Sequence, residues 1–236
     1  GAAGWSWWTL AAALLGTALS CMGASGFNQV IERDTDALMP RTADRPLPRG
    51  RVSVREALIA SSVFSLAGLA LLWLGANWLA AALSLATIGL YALLYTPLKR
   101  VTWLATAVGA VPGAMPPLIG AAAASGRVGL AAWLLFAILF LWQLPHFYAI
   151  AWLYREDYAA AGLRMLPVVD SPDGRRTFRQ IVITCLALLA VGLVPTVAGV
   201  SGWWYFATAL LAGGAFLGLG LLLSWSPSRS RARLLF

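Results

Sequence analysis

The sequence predicts an all-α protein, a polytopic bundle of transmembrane helices. Of its 236 residues, 60% are hydrophobic and only 11% are charged, whereas a soluble domain has about 45–50% apolar and about 25% charged residues. Seven apolar runs have the length of about 20 residues that a helix needs to cross a bilayer. This composition excludes an ordinary soluble domain, a disordered chain and a basic nucleic-acid-binding domain, so we expect a lipid bilayer and no nucleic acid as surroundings.

The predicted spans follow one another along the whole chain. They cover residues 5–27, 54–74, 77–97, 102–123, 129–153, 179–200 and 203–224. The fourth span contains Pro112, Pro116 and Pro117, so we expect a kinked or broken helix there. The first run has no basic flank of the kind that precedes a signal peptide, and a new apolar stretch begins at Leu234. We expect one membrane domain over residues 1–236, truncated at both ends.

The basic residues predict the orientation of the bundle. Sixteen of the seventeen Lys and Arg residues lie in the connections that follow the first, third, fifth and seventh runs, and Arg127 is the exception. Cytoplasmic loops carry such an excess of positive charge. We therefore expect a multi-pass protein of the cell (inner) membrane with these connections on the cytoplasmic side, including polar loops at about 28–53 and 154–178.

Eight of the nine acidic residues lie in those two loops, and the ninth, Glu56, lies three residues after the first loop. In the first loop, Asn28, Glu32 and Asp36 recur every four residues, which on a helix places them on one stripe. Carboxylates at this spacing repel each other unless a cation neutralises them. Asp34 would point away from the stripe unless the helix unwinds. The alternative interpretation is a solvated helix end with alternating charges.

A proline-rich segment at 39–49 follows the stripe. Its three prolines exclude a regular helix and predict a stiff loop that presents Arg41, Arg45 and Arg49. The guanidinium group suits bidentate binding of phosphate. An anchor for anionic lipid headgroups is an equally good interpretation of this segment alone.

The second loop offers a second carboxylate group, around Glu156 and Asp157. Carboxylates from two helices, with arginines beside them, suit a diphosphate bridged by Mg²⁺, because Mg²⁺ uses few protein carboxylates together with phosphate oxygens. A neutralised diphosphate is also a good leaving group, and its departure from an allylic carbon leaves a carbocation.

The histidine His146 lies within the fifth predicted span. It is eleven residues before Asp157, so on a continuous helix the two share a face within about 20°, with Gln143 and Tyr154 nearby. Polar residues within a membrane usually face a cavity or the bundle interior. A helix-packing hydrogen bond is the alternative role of His146, and the two interpretations are about even.

These residues resemble the motifs of a known family. Asn28-x3-Glu32-x3-Asp36 is similar to the first Asp-rich motif of the UbiA superfamily of intramembrane prenyltransferases. The longer stretches resemble its heme O synthase branch. They are 28–49, 95–100, 113–120, 142–147 and 157–167.

The resemblance implies a nine-helix bundle around a central cavity, of which this chain would hold seven helices. It implies that farnesyl diphosphate and heme b are the substrates, that Mg²⁺ is the cofactor, and that heme O passes to a heme A synthase or a terminal oxidase. Carried over by position, the residues that hold the metal and diphosphate are Asn28, Glu32, Asp34, Asp36 and Asp157, and the further diphosphate contacts are Arg41, Arg45, Lys99, Arg100, Tyr154 and Arg164. We also hypothesise that His146, as an iron ligand or a nearby polar contact, and Gln143 face the heme.

Two positions depart from the superfamily pattern. Glu32 stands where the motif has Asp, and Ala161 stands where many members have a second Asp, four residues after Asp157. The missing Asp favours the heme branch over enzymes that prenylate an aromatic or quinone precursor, which is the first alternative function. A cation-coupled membrane transporter is the second alternative, although acids at one membrane face argue against it.

Overall fold

The computed structural model describes residues 6–235, and within that range helices are the only regular secondary structure. Trp5, at the start of the first predicted span, and Phe236 lie outside the described residues. The helices are α1 (Trp7–Ile31), α2 (Arg33–Asp36), α3 (Val54–Gly75), α4 (Trp78–Gly89), a π-helix (Leu90–Tyr95), α5 (Thr96–Leu98), α6 (Ala105–Ala114), α7 (Pro116–Ser125), α8 (Leu130–Leu153), α9 (Arg155–Ala160), α10 (Leu166–Val169), α11 (Arg175–Val197), α12 (Trp203–Trp225) and α13 (Arg229–Arg233).

Seven helical segments among residues 6–235 are long and apolar enough to cross a membrane. Two of them are compound, namely Trp78–Leu98 and Ala105–Ser125. The predicted break in the fourth span is confirmed, because α6 ends and α7 begins on either side of Met115. Each predicted span overlaps one of the seven, and their ends agree to within four residues.

Small residues let α1 and α3 pack closely. A Cβ atom at Gly68 would lie 2.6 Å from the carbonyl oxygen of Gly16, and one at Gly23 would lie 2.1 Å from the hydroxyl of Ser65. Close approach through glycine and serine is a common way for helices to associate in lipid. This contact fixes the direction of α1 and thus the position of its last turn beside the polar loops.

Two large apolar clusters form most of the rest of the core. One joins α8 to α11, α12 and α13, with Phe178 and Ile181 buried at its centre. The other joins α3 and α4 to α7, with Leu72 and Leu118 buried. Residues 28–53 and 154–178 lie at the same end of the bundle, which we call the motif end.

Candidate active site

The predicted stripe of the first motif is present at the motif end. The backbone turns at Glu32, yet the amide of Asp36 still donates to the carbonyl of Glu32 at 2.7 Å, so the helical register continues. Asn28, Glu32 and Asp36 are 6%, 7% and 1% exposed. The solvated helix end, which was the alternative interpretation, is therefore wrong.

Each buried carboxylate has a cationic partner. Lys99 Nζ lies 2.9 Å from Glu32 Oε1 and donates a hydrogen bond to Oε2 at 3.1 Å. Arg45 Nη1 lies 2.7 Å from Asp36 Oδ2. Asn28 Nδ2 also donates to Glu32 Oε2, at 2.9 Å. These pairs offset the repulsion between the two acids and hold them in place.

The loop at 39–49 is irregular, as predicted, and it is anchored to the bundle. The hydroxyl of Thr42 donates to the carbonyl of Asp36 at 2.9 Å, and the side chains of Met39 and Leu47 are buried. This anchoring directs Arg45 toward Asp36. Arg49 instead pairs with Asp44 on the exposed side of the loop.

The two polar loops are in contact with each other. The guanidinium of Arg41 lies 5.4 Å from the ring centroid of Tyr154, and its Nη2 donates to the Tyr158 hydroxyl at 3.3 Å. The amide of Arg164 donates to the carbonyl of Lys99 at 2.8 Å. Asp157 lies on α9 between these two tyrosines. Burial raises the pKa of the Tyr158 phenol, and the nearby Arg41 partly opposes this effect.

The site carries more positive than negative charge. Arg41 contacts the side chains of Tyr154 and Tyr158, and Arg100 donates to the hydroxyl of Thr35. Within residues 6–235, neither guanidinium has a carboxylate partner closer than 4.0 Å. Two cations beyond the two ion pairs make this a favourable place for a polyanion.

A magnesium ion would fit the oxygen ligands of this site. Glu32 Oε1 is buried and accepts no hydrogen bond, since its contact with Lys99 is an ion pair only. Among the described residues, no group of three or more His, Cys, Asp or Glu side chains converges as a complete metal site. Mg²⁺ characteristically takes one or two carboxylates and completes its shell with phosphate oxygens and water.

The side chains of Asp34 and Arg164, two of the predicted site residues, are both exposed. Asp34 pairs with the neighbouring Arg33 at 2.8 Å, which agrees with its position off the stripe. The Arg164 side chain is exposed, and only its backbone amide joins the site. The metal-binding role of Asp34 and the diphosphate-binding role of Arg164 stay predictions.

A cavity of ≈ 320 Å³ lies within the bundle beside this site. Tyr91, Tyr95, Gln143 and Phe147 line its walls. The ring of Tyr95 lies 4.5 Å from Lys99 Nζ, so one side chain borders both the charged site and the apolar cavity. The predicted central cavity is confirmed, and Gln143 faces it as expected.

The expectation that His146 aligns with Asp157 is wrong, because α8 ends at Leu153. Tyr154 leaves the helical conformation with φ −110° and ψ 24°, and α9 starts anew at Arg155. His146 stacks on Trp142 at 5.2 Å, its Nδ1 lies 3.0 Å from the carbonyl oxygen of Leu235, and it does not line the cavity. Its predicted contact with heme stays a prediction.

Sequence reasoning did not assign a role to Thr96. Its hydroxyl accepts from Asn28 Nδ2 at 3.0 Å and donates to the carbonyl of Tyr91 at 2.8 Å. The residues Leu90–Tyr95 form a π-helix, an element that often occurs at functional sites. Thr96 thus connects the first motif to this π-helix. Its position in the sequence, next to Tyr95 and close to Lys99, is the signal that could have indicated this role.

The fold and the site define a class of protein. The family model described as the UbiA prenyltransferase family matches residues 1–236, and the chain belongs to that family. Two relatives named protoheme IX farnesyltransferase are especially similar. The protein from Solibacter usitatus is 53% identical over 220 residues, covering 93% of this chain and 75% of the relative. The protein from Koribacter versatilis is 49% identical over 222 residues, which cover 94% of this chain and 69% of the relative.

Solved structures share the fold. The apo structure of a UbiA homolog from Aeropyrum pernix K1 has a TM-score of 0.80 and 23% identity, covering 98% of this chain and 85% of that one. A UbiA homolog from Archaeoglobus fulgidus, bound to GPP and Mg²⁺, has a TM-score of 0.69 and 17% identity, and the match covers 93% of this chain and 75% of that one. At these identities the likeness concerns the fold alone.

Proposed function

We propose that this chain transfers the farnesyl group of farnesyl diphosphate to a vinyl group of heme b, with addition of water, to give heme O and diphosphate. The observation that carries the proposal is the charged site beside the cavity, where the Lys99 ammonium that pairs with Glu32 also contacts the ring of Tyr95 in the cavity wall. The choice of donor and acceptor is supported by relatives of 41–53% identity that carry the name protoheme IX farnesyltransferase.

The charged site would bind the diphosphate. Glu32, Asp36 and Asp157, with Asn28 and by prediction Asp34, would hold Mg²⁺. When bound, the ion neutralises the diphosphate oxygens and makes diphosphate a better leaving group. The further diphosphate contacts that we propose are Arg41, Arg45, Lys99, Arg100, Tyr154 and Arg164.

The cavity would hold the prenyl chain and exclude bulk water. As the C1–oxygen bond breaks, diphosphate leaves with the electron pair, and the allylic cation lies against the faces of Tyr91 and Tyr95, which attract cations. A vinyl π pair of heme b then forms the new carbon–carbon bond. Water adds to the resulting cation and loses a proton to solvent.

We also propose the placement of the enzyme. The concentration of basic residues at the motif end favours a cytoplasmic location for both polar loops in the cell (inner) membrane. Heme O is an apolar product and would leave through the bilayer toward a heme A synthase or a terminal oxidase.

The direct test is a transfer assay in liposomes with heme b, farnesyl diphosphate and either Mg²⁺ or a chelator. We expect a pigment heavier than heme b by one farnesyl group and one hydroxyl group, formed only with Mg²⁺. An aromatic acid in place of heme b tests the alternative acceptor. Farnesylation of the aromatic acid and not of heme b would contradict the proposal, as would cation flux without any prenyl transfer.

A further inference from the structure

Two cavities follow one another along α1. The first, of ≈ 320 Å³, is lined by Tyr95, whose ring borders the charged site, and the second, of ≈ 690 Å³, extends to the other end of the helix at Ser6. Thr17, Cys21 and Pro116 line both cavities. We call these three residues the partition, because side chains that border two cavities form the wall between them.

The depth of the partition can be measured along α1. With a rise of 1.5 Å per residue, Cys21 lies about 10 Å and Thr17 about 16 Å deeper than Asn28. Asn28 marks the level of the charged site, since its amide contacts Glu32 and Thr96. The partition therefore begins and ends at two defined distances from the place where a diphosphate would be held.

Extended chains of different length reach different depths. An extended chain advances about 1.2 Å for each bond along it. The carbon chain of a geranyl group is therefore about 8 Å long, that of a farnesyl group about 13 Å and that of a geranylgeranyl group about 18 Å. With C1 at the level of Asn28, a C10 chain ends before Cys21 and a C20 chain passes Thr17. A C15 chain ends between these two residues.

We propose that the partition, with Thr17 as its deepest residue on α1, selects a C15 prenyl diphosphate as the donor. A C10 chain leaves the lower part of the first cavity unfilled, and the last isoprene unit of a C20 chain meets the side chains of Thr17 and Pro116. The identity of the reaction rests on the proposed function, whereas the selection of length rests on the two cavities and their shared wall.

The test is made with two substitutions at Thr17 and the same two at Thr9. Thr9 lies on the same helix and lines only the second cavity, so Thr9→Ala and Thr9→Phe are matched controls. Equilibrium binding of geranyl, farnesyl and geranylgeranyl diphosphate in Mg²⁺ gives a readout that needs no acceptor. A competition between the three donors for transfer to heme b gives the second readout.

We expect the wild-type protein to prefer farnesyl diphosphate. Thr17→Ala joins the two cavities and raises the geranylgeranyl-to-farnesyl ratio about tenfold, the effect of a few carbons in an apolar pocket. Thr17→Phe fills the lower part of the first cavity and raises the geranyl-to-farnesyl ratio by a similar factor. Both Thr9 variants keep the wild-type order.

Unchanged ratios in Thr17→Ala, or equal shifts in Thr9→Ala, would overturn the partition even if Thr17→Phe does not fold. A wild-type protein that binds the three donors in the expected order but transfers none to heme b would overturn the proposed function and leave the partition supported. The two failures are therefore distinguishable.

Discussion

The two polar loops at the motif end hold their acidic side chains in opposite ways. In residues 28–53, Glu32 and Asp36 are buried and each is paired with a cation. In residues 154–178, Asp157 is half-buried, and within the described part of the chain no side chain forms an ion pair or hydrogen bond with it. The first loop is a preformed binding element, whereas the second supplies a carboxylate that a ligand must fix.

Two of the remaining acids of the second loop, Asp170 and Asp173, serve the fold. Asp170 accepts hydrogen bonds from the amide and hydroxyl of Thr177 at 2.7 and 2.8 Å, at the first turn of α11. Asp173 pairs with Arg175 at the same helix start. Anionic groups at a helix N-terminus are stabilising. A loop with four acids therefore contributes Asp157, rather than a cluster, to the proposed chemistry.

The largest expected effects are losses of activity from substitutions in either loop, of which only the one in the first loop should also lower stability. We expect both Asp36→Asn and Asp157→Asn to lower transfer to heme b about a hundredfold or more, because each removes a charge that the proposed metal–diphosphate needs. Only Asp36→Asn should also lower the thermal midpoint of unfolding, since it removes a buried partner of Arg45. Turnover and thermal unfolding of both variants check this. Equal loss of stability in both would contradict the contrast between the loops.

The next effect concerns the cation that connects the first motif to the cavity. Lys99→Met removes the partner of Glu32 and a proposed phosphate contact, so we expect the concentration of farnesyl diphosphate at half saturation to rise about tenfold or more. Lys99→Arg keeps the charge and should recover part of the affinity. Donor titrations of the two variants make the comparison, and wild-type affinity in Lys99→Met would show that this ion pair has no part in donor binding.

A smaller effect is expected at the cavity wall. A Cβ atom at Gly113 would lie 2.0 Å from Gln143 Oε1, whereas one at Gly120 meets nothing within 4 Å. Gly113→Ala should therefore displace Gln143 and lower transfer about tenfold while donor binding is kept, because overpacking forces side chains out of place. Gly120→Ala is the matched control in the same span. Loss of transfer in both variants would mean that the span, and not Gln143, is responsible.

The smallest effect is structural and depends on pH. Burial acts to raise the pKa of Asp170, but hydrogen bonds from Thr177, Ser171 and Arg176 outweigh it and hold the pKa below its usual value. This stabilisation is therefore present above a pH of about 4 and is lost as the pH falls through the folded-state pKa. We expect Asp170→Ala to cost about 1 kcal/mol at pH 7 with turnover retained.

The measurement is thermal unfolding of the wild type and Asp170→Ala in detergent between pH 3 and pH 7. The difference between their midpoints should shrink toward acid pH. Glu156→Ala, which changes an exposed acid in the same loop, is the control. A difference that grows as the pH falls would show that the carboxylate of Asp170 does not stabilise α11 in its charged form.

Local patterns were sufficient to predict the helices but not all of the contacts. Apolar runs predicted the seven spans, three prolines predicted the break at Met115, and the four-residue spacing placed Asn28, Glu32 and Asp36 together. The ion pair between Glu32 and Lys99 joins residues 67 positions apart. No periodicity within one segment can predict such a pair.

Two features of the third and fifth spans escaped prediction for a different reason. The end of α8 at Leu153 has no proline or glycine to indicate it, so His146 and Asp157 were placed on one continuous helix. The π-helix at Leu90–Tyr95 is stabilised in part by the hydroxyl of Thr96, which donates to the carbonyl of Tyr91. Both depend on contacts that form only when the helices pack.

The central claim is that both loops hold one magnesium-bound diphosphate, and a double-mutant cycle tests it most directly. Binding of farnesyl diphosphate in Mg²⁺ is measured for the wild type, Asp36→Asn, Asp157→Asn and the double variant, with a chelator as reference. Because both carboxylates would contact one ligand, we predict a double variant that binds little more weakly than the worse single variant. Losses of binding free energy that add to within about 0.5 kcal/mol would show that the two residues act on separate ligands, and would contradict the account.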